Sequence, residues 1–220
     1  MRIYLKRFRH LILGLVTCLA LTGFFVPGFE GGLGVGPVQA TEPSTALAEP
    51  LPRSIASDYS LMSSVQANVA AAETTLLAQG MRPYTTYVAI MSEDNVYPKS
   101  PDTLARGTVG AVVSGNRLIT RGSFYILSSQ MRDYSTDPVN PPNSDITSAF
   151  HIHQGTPMEN GPFQYALDVM TDETGRSGSA MGEYTLTQEQ MQALADGRLY
   201  VDIHTTENRG GELRGILMPY

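Results

Sequence analysis

Between Pro83 and Met218 the chain breaks into about seven to nine short β-prone runs separated by turn residues. That pattern confines it to an antiparallel all-β sandwich or barrel. Thr85 to Met91 is one run, rich in Thr, Tyr, Val and Ile, and Thr108 to Val113 is another. Ser114-Gly115-Asn116 is a hairpin turn into a run from Leu118 to Leu127. Residues 132–147, with Pro138, Pro141 and Pro142 among Asp, Asn and Ser, form a long loop. A strand around His151 follows, then the turn Glu159-Asn160-Gly161-Pro162 and a strand from Phe163 to Met170. A polar loop over Thr171 to Ser179 leads to a strand around Met181 to Leu186. The last pair, Arg198 to His204 and Glu212 to Met218, is joined by the hairpin loop Glu207 to Gly211.

Two helices interrupt the β pattern. From Ser57 to Gln79, Tyr59, Met62, Val65, Val69, Ala72 and Leu76 recur at threes and fours, and Gly80 supplies a stop. This N-terminal helical extension (57–80) is Ala-rich and nearly uncharged, which suits packing on the domain that follows. The second helix is short: Thr187 is an N-cap with Gln190 as its capping-box partner, and Gly197 ends it.

Residues 1–40 read as an export signal. Arg2, Lys6, Arg7 and Arg9 form a basic start, Leu11 to Val26 an apolar run, and Val38-Gln39-Ala40 a small-residue cleavage site. The run falls short of the roughly 20 residues that span a bilayer, so no stable membrane insertion is expected after cleavage. Residues 41–56 follow as a Pro-containing linker. The only cysteine, Cys18, lies in the signal, so the mature chain is expected to hold no disulfide and no thiolate metal site. Removing Arg2, Lys6, Arg7, Arg9 and Glu30 from the 15 basic and 21 acidic residues leaves 11 against 20, a net charge of −9. So acidic a surface argues against nucleic acid and anionic membranes as partners.

Chemistry concentrates in the histidines. His10 falls in the signal; His151, His153 and His204 lie in two β-prone stretches. Side chains two apart on a strand share a face. His151 and His153 therefore point one way and Ile152 the other; Tyr200, Asp202 and His204 share a face opposite Val201 and Ile203. Adjacent strands would bring the three imidazoles together as a three-nitrogen site for copper or zinc, with copper first by the Irving–Williams order. Asp202 and Glu212 are candidate ligands or acceptors that orient an imidazole, and Met158 is a candidate soft axial ligand. The opposing reading makes the histidines structural, hydrogen-bonded across the sandwich. Glu212 and Arg214 share parity and read as an ion pair that fixes register or shapes the histidine site. No Gly-x-Ser-x-Gly elbow or cysteine nucleophile supports covalent catalysis.

Leu194 to Thr205, continuing through Gly211-Glu212-Leu213-Arg214-Gly215, resembles the ending of a CHRD (chordin-type) domain, and His151-Ile152-His153-Gln154-Gly155 with Asn160-Gly161-Pro162 resembles its earlier hallmark. The resemblance covers residues 84–218 and implies an Ig-like antiparallel β-sandwich. It implies little about activity: the animal module belongs to an extracellular regulator of signalling proteins. The sequence thus predicts an exported, periplasmic or extracellular CHRD-domain protein that acts by binding. Its partner is either a metal ion held by His151, His153 and His204 or an extracytoplasmic protein or matrix. A superoxide dismutase-like enzyme is a weaker match, because that fold needs more histidines and a disulfide.

Overall fold

The computed structural model describes residues 53–220. The expected export signal, Cys18 and most of the expected linker lie outside the described residues. Among the described residues ten strands form two antiparallel sheets, packed as a sandwich. The six-stranded sheet runs β10 (Met218–Pro219), β1 (Thr85–Met91), β2 (Arg106–Ser114), β3 (Arg117–Tyr125), β7 (Gly178–Thr185) and β6 (Asp168–Thr171). The four-stranded sheet runs β5 (Phe163–Ala166), β4 (Phe150–Gln154), β8 (Leu199–Ile203) and β9 (Leu213–Ile216). Between them lies one core in which Phe124, Phe150, Ile152, Val201 and Ile203 are fully buried. Alternation sets this up: Ile152, Val201 and Ile203 turn inward as their parity predicts, so His151 and Asp202 take the opposite face.

Two runs that read as single strands each change sheet partway. Phe163 to Met170 divides at Leu167 into β5 of the smaller sheet and β6 of the larger; Glu212 to Met218 divides at Leu217 into β9 and β10. Both leucines are fully buried, and their backbone N–H groups donate to Phe150 O and Leu199 O. Each acts as an apolar pin at the crossing.

The N-terminal helix α1 (Arg53–Ala78) begins within the segment expected as linker. It lies across the outer face of β2 and β3, where Ala72 and Leu76 pack on Val112 and Ile119. β2 is therefore covered on both sides, which its near-continuous run of small and apolar residues suits. Val65, Val69, Ala72 and Leu76 are buried as their spacing predicts, whereas Met62 is exposed. A polar row lies under the same helix: the Asn68 amide donates to Thr108 and Ser123, and Ser64 Oγ contacts the same two hydroxyls. The short helix α2 (Gln188–Ala195) has the predicted capping box, with Thr187 and Gln190 bonded reciprocally, and Gly197 follows it at φ +66°.

Candidate metal centre

The site forms on the outer face of the four-stranded sheet. β4 and β8 pair so that His151 faces Asp202 and His153 faces Tyr200. His204 follows the last residue of β8 and is held by its N–H to Ala149 O. A register irregularity between Ile152 and His153, where β4 meets β5, adjusts the aim of the second imidazole. Three connections close over this face. The β3–β4 loop supplies Tyr134, whose ring lies 5.5 Å from that of His151. The β4–β5 turn supplies Gly161, and the β8–β9 loop supplies Arg209.

Each imidazole uses one nitrogen on a backbone carbonyl from one of these connections. His151 Nε2 meets Ser148 O at 2.6 Å, His153 Nδ1 meets Gly161 O at 3.0 Å and His204 Nδ1 meets Arg209 O at 2.9 Å. A carbonyl only accepts, so in each case the ring nitrogen carries the proton. The tautomers are thereby fixed, and in a neutral ring the other nitrogen is a bare lone pair. All three bare nitrogens converge on one carboxylate oxygen. Asp202 Oδ1 lies 3.8 Å from His151 Nδ1 and 3.2 Å from both His153 Nε2 and His204 Nε2. One donor atom from each of the four side chains lies within 4.8 Å of all the others. His151 Nδ1, His153 Nε2 and Asp202 Oδ1 are buried with no hydrogen-bond partner among the described residues. Acceptor lone pairs facing one another in a dry site are costly. Either protons or a cation must enter, and the four side chains could hold a metal ion.

The electrostatics reflect that crowding. Burial drives His151 down to about 4, against the pull of Asp202, so this ring stays neutral. Burial also opposes charge on His204, but the Asp202 carboxylate beside it outweighs burial and raises its pKa. Burial likewise works against the Asp202 anion, yet His204 and His153 hold its pKa well below the carboxylate range. The carboxylate and the His204 imidazolium thus favour one another's charged forms.

The structure brings His151, His153 and His204 together with Asp202, which sequence parity had marked as ligand or acceptor. The histidines bond to loop carbonyls on the outer face, not across the sandwich. Met158 stands 71% exposed on the β4–β5 turn, so it is no axial ligand of a buried centre. Glu212 and Arg214 do not pair. The Glu212 carboxylate is fully buried and accepts from Thr103 Oγ1, Ser128 N, Ser128 Oγ and Thr205 Oγ1. Arg214 instead faces Asp202 across β8 and β9, with Nη2 3.7 Å from Oδ2. Glu212 precedes β9, so strand parity does not govern its side chain.

A family model for the CHRD domain matches residues 87–217. Neither the search of curated proteins nor that of solved structures returned a significant match. With more than half of the sequence, all four cluster residues and both strands that carry the His-x-His and Asp-x-His pairs inside the family match, the chain belongs to the CHRD domain family.

Proposed function

We propose that this CHRD-domain protein is exported and binds a transition-metal ion, copper or zinc, through His151, His153 and His204. One observation carries the metal reading: three imidazoles, each with one nitrogen on a backbone carbonyl, turn the other toward the buried Oδ1 of Asp202, and those of His151 and His153 have no partner. A purely structural histidine has no need of a free lone pair aimed at an anion. Export is supported by the basic, apolar and small-residue order of residues 1–40. Among the described residues no helix is long and apolar enough to cross a membrane.

Titration of metal-free protein with Cu²⁺ and with Zn²⁺, followed by calorimetry, tests the metal reading. The parent should bind one ion of at least one of these metals, and a variant with all three histidines changed to Ala should bind neither at that site. Equal binding by parent and variant returns the histidines to a structural role. N-terminal sequencing of the protein recovered outside the cytoplasm tests export; a chain that retains Leu11 to Val26 refutes cleavage at Ala40.

An interaction module is the second reading. Leu104, Tyr125 and Ile126 are 78%, 43% and 55% exposed, and Leu104 and Ile126 line one shallow pocket. α1, by contrast, spends its apolar stripe on β2 and β3.

A further inference from the structure

We propose that Asp202 closes the metal centre as a fourth ligand through one oxygen, and that Arg214 is the positioning residue that holds it to that oxygen. This rests on the reading that the three histidines bind a metal.

The two oxygens of Asp202 have different neighbours. Oδ1 faces the three free imidazole nitrogens, while Oδ2 faces Arg214 Nη2 at 3.7 Å. Ligands 2.0–2.1 Å from a tetrahedral ion stand about 3.3–3.4 Å apart, and Oδ1 lies 3.8, 3.2 and 3.2 Å from the nitrogens. An ion seated among the imidazoles therefore meets Oδ1 at bonding range. A free carboxylate can swing to give an ion both oxygens; a carboxylate whose second oxygen faces a fixed guanidinium does not.

Arg214 is fixed to an unusual degree for an arginine. It is 1% exposed, and its own N–H and C=O bridge to Ser92 at 3.1 and 3.0 Å. Its Nη1 donates to Glu159 O at 3.0 Å and its Nη2 to Asn160 Oδ1 at 2.7 Å. The guanidinium lies 4.2 Å over the Tyr200 ring, and that ring stacks on His153 at 5.2 Å with 7° between the planes. One side chain thus braces the carboxylate, the turn whose Gly161 carbonyl orients His153, and the ring against which His153 rests. Arg214 also places a fixed positive charge beside the second oxygen of the buried Asp202.

Co²⁺ titration monitored by visible absorption tests this, because four-coordinate Co²⁺ absorbs far more strongly than five- or six-coordinate Co²⁺. The parent should show the intense spectrum. Asp202→Ala should weaken Co²⁺ binding by about 10- to 100-fold and shift the bands, as water takes the vacated position. Arg214→Met should still bind Co²⁺ but with absorption per bound ion reduced severalfold, as Asp202 swings to offer both oxygens, and Arg214→Lys should restore much of it. Asn160→Ala, which loosens Arg214 without touching its charge, should fall between parent and Arg214→Met, and guards against an Arg214 variant that fails to fold. Parent-like spectra in Asp202→Ala, or in both Arg214→Met and Asn160→Ala, overturn the proposal while leaving the three-histidine site intact. A parent that binds no Co²⁺, Zn²⁺ or Cu²⁺ instead overturns the metal reading itself.

Discussion

His204 and Asp202 lie two residues apart in sequence and 3.2 Å apart in space, Nε2 to Oδ1, and the carboxylate makes the imidazole hold its second proton to higher pH. The metal must displace that proton, because a protonated imidazole has no lone pair to give. Affinity should therefore be flat at alkaline pH and fall as pH drops through the pKa of His204, which Asp202 raises above the ordinary 6.5. The decline begins at a higher pH than for free histidine. Calorimetric titration at pH 8, 7 and 6 in buffers of different ionisation enthalpy checks this, with about one proton released per ion at the lower pH values. Unchanged affinity and no proton release between pH 8 and 6 would falsify it.

His151 makes the metal-free protein sensitive to acid. Its pKa is about 4 in the folded state against 6.5 for a free imidazole, so the unfolded chain takes up the proton first. The neutral ring costs nothing above pH 6.5; below it stability is lost progressively, by about 3 kcal/mol once pH passes 4, at roughly 1.4 kcal/mol per unit. His204 acts in the opposite sense, adding stability below 6.5 that disappears as pH rises through its raised pKa. Comparing metal-free parent with His151→Gln isolates the first effect. In urea denaturation the variant should gain on the parent as pH falls from 7 to 4.5. A stability difference that does not move with pH excludes this account.

Glu212 joins three connections of the fold. Thr103 precedes β2, Ser128 follows β3 and Thr205 follows His204, and all three donate to its carboxylate. Glu212→Gln keeps the shape but replaces one acceptor by a donor that faces other donors. A buried mismatch of that kind costs about 1–3 kcal/mol. Chemical denaturation measures it, and a variant as stable as the parent shows that Glu212 is not the latch described.

The sequence made some of this legible and hid the rest, for physical reasons. Strand parity alone put His151 and His153 on one face of their strand and Asp202 and His204 on one face of theirs, and needed only adjacent strands to bring them together. Thr187 and Gln190 announced α2 because a capping box is local. Leu167 and Leu217 left no trace, since a strand that changes sheets keeps its apolar rhythm through the crossing. The partners of Glu212 at Thr103 and Ser128 are 109 and 84 residues away, so no local pattern points to them. Arg214 was visible as a strand residue, but only the register of β9 on β8 shows that it faces Asp202 rather than Glu212.

Gly110 tests whether α1 belongs to the domain. A Cβ built on Gly110 would stand 2.4 Å from the backbone nitrogen of Val69 and 2.7 Å from the carbonyl carbon of Asn68. Backbone cannot yield as a flexible side chain does, so Gly110→Ala must lift the middle of the helix from β2. That displaces Asn68 from Thr108 and Ser123 and opens the small core of Ala72, Leu76, Val112 and Ile119. Overpacking of this kind costs about 1–3 kcal/mol. The expected result is faster proteolysis within residues 53–78 and a lower unfolding temperature, while the cluster of His151, His153, Asp202 and His204, on the far sheet, keeps its metal affinity. If Gly110→Ala leaves both the cleavage rate and the unfolding temperature at parent values, α1 does not rest on β2 in solution.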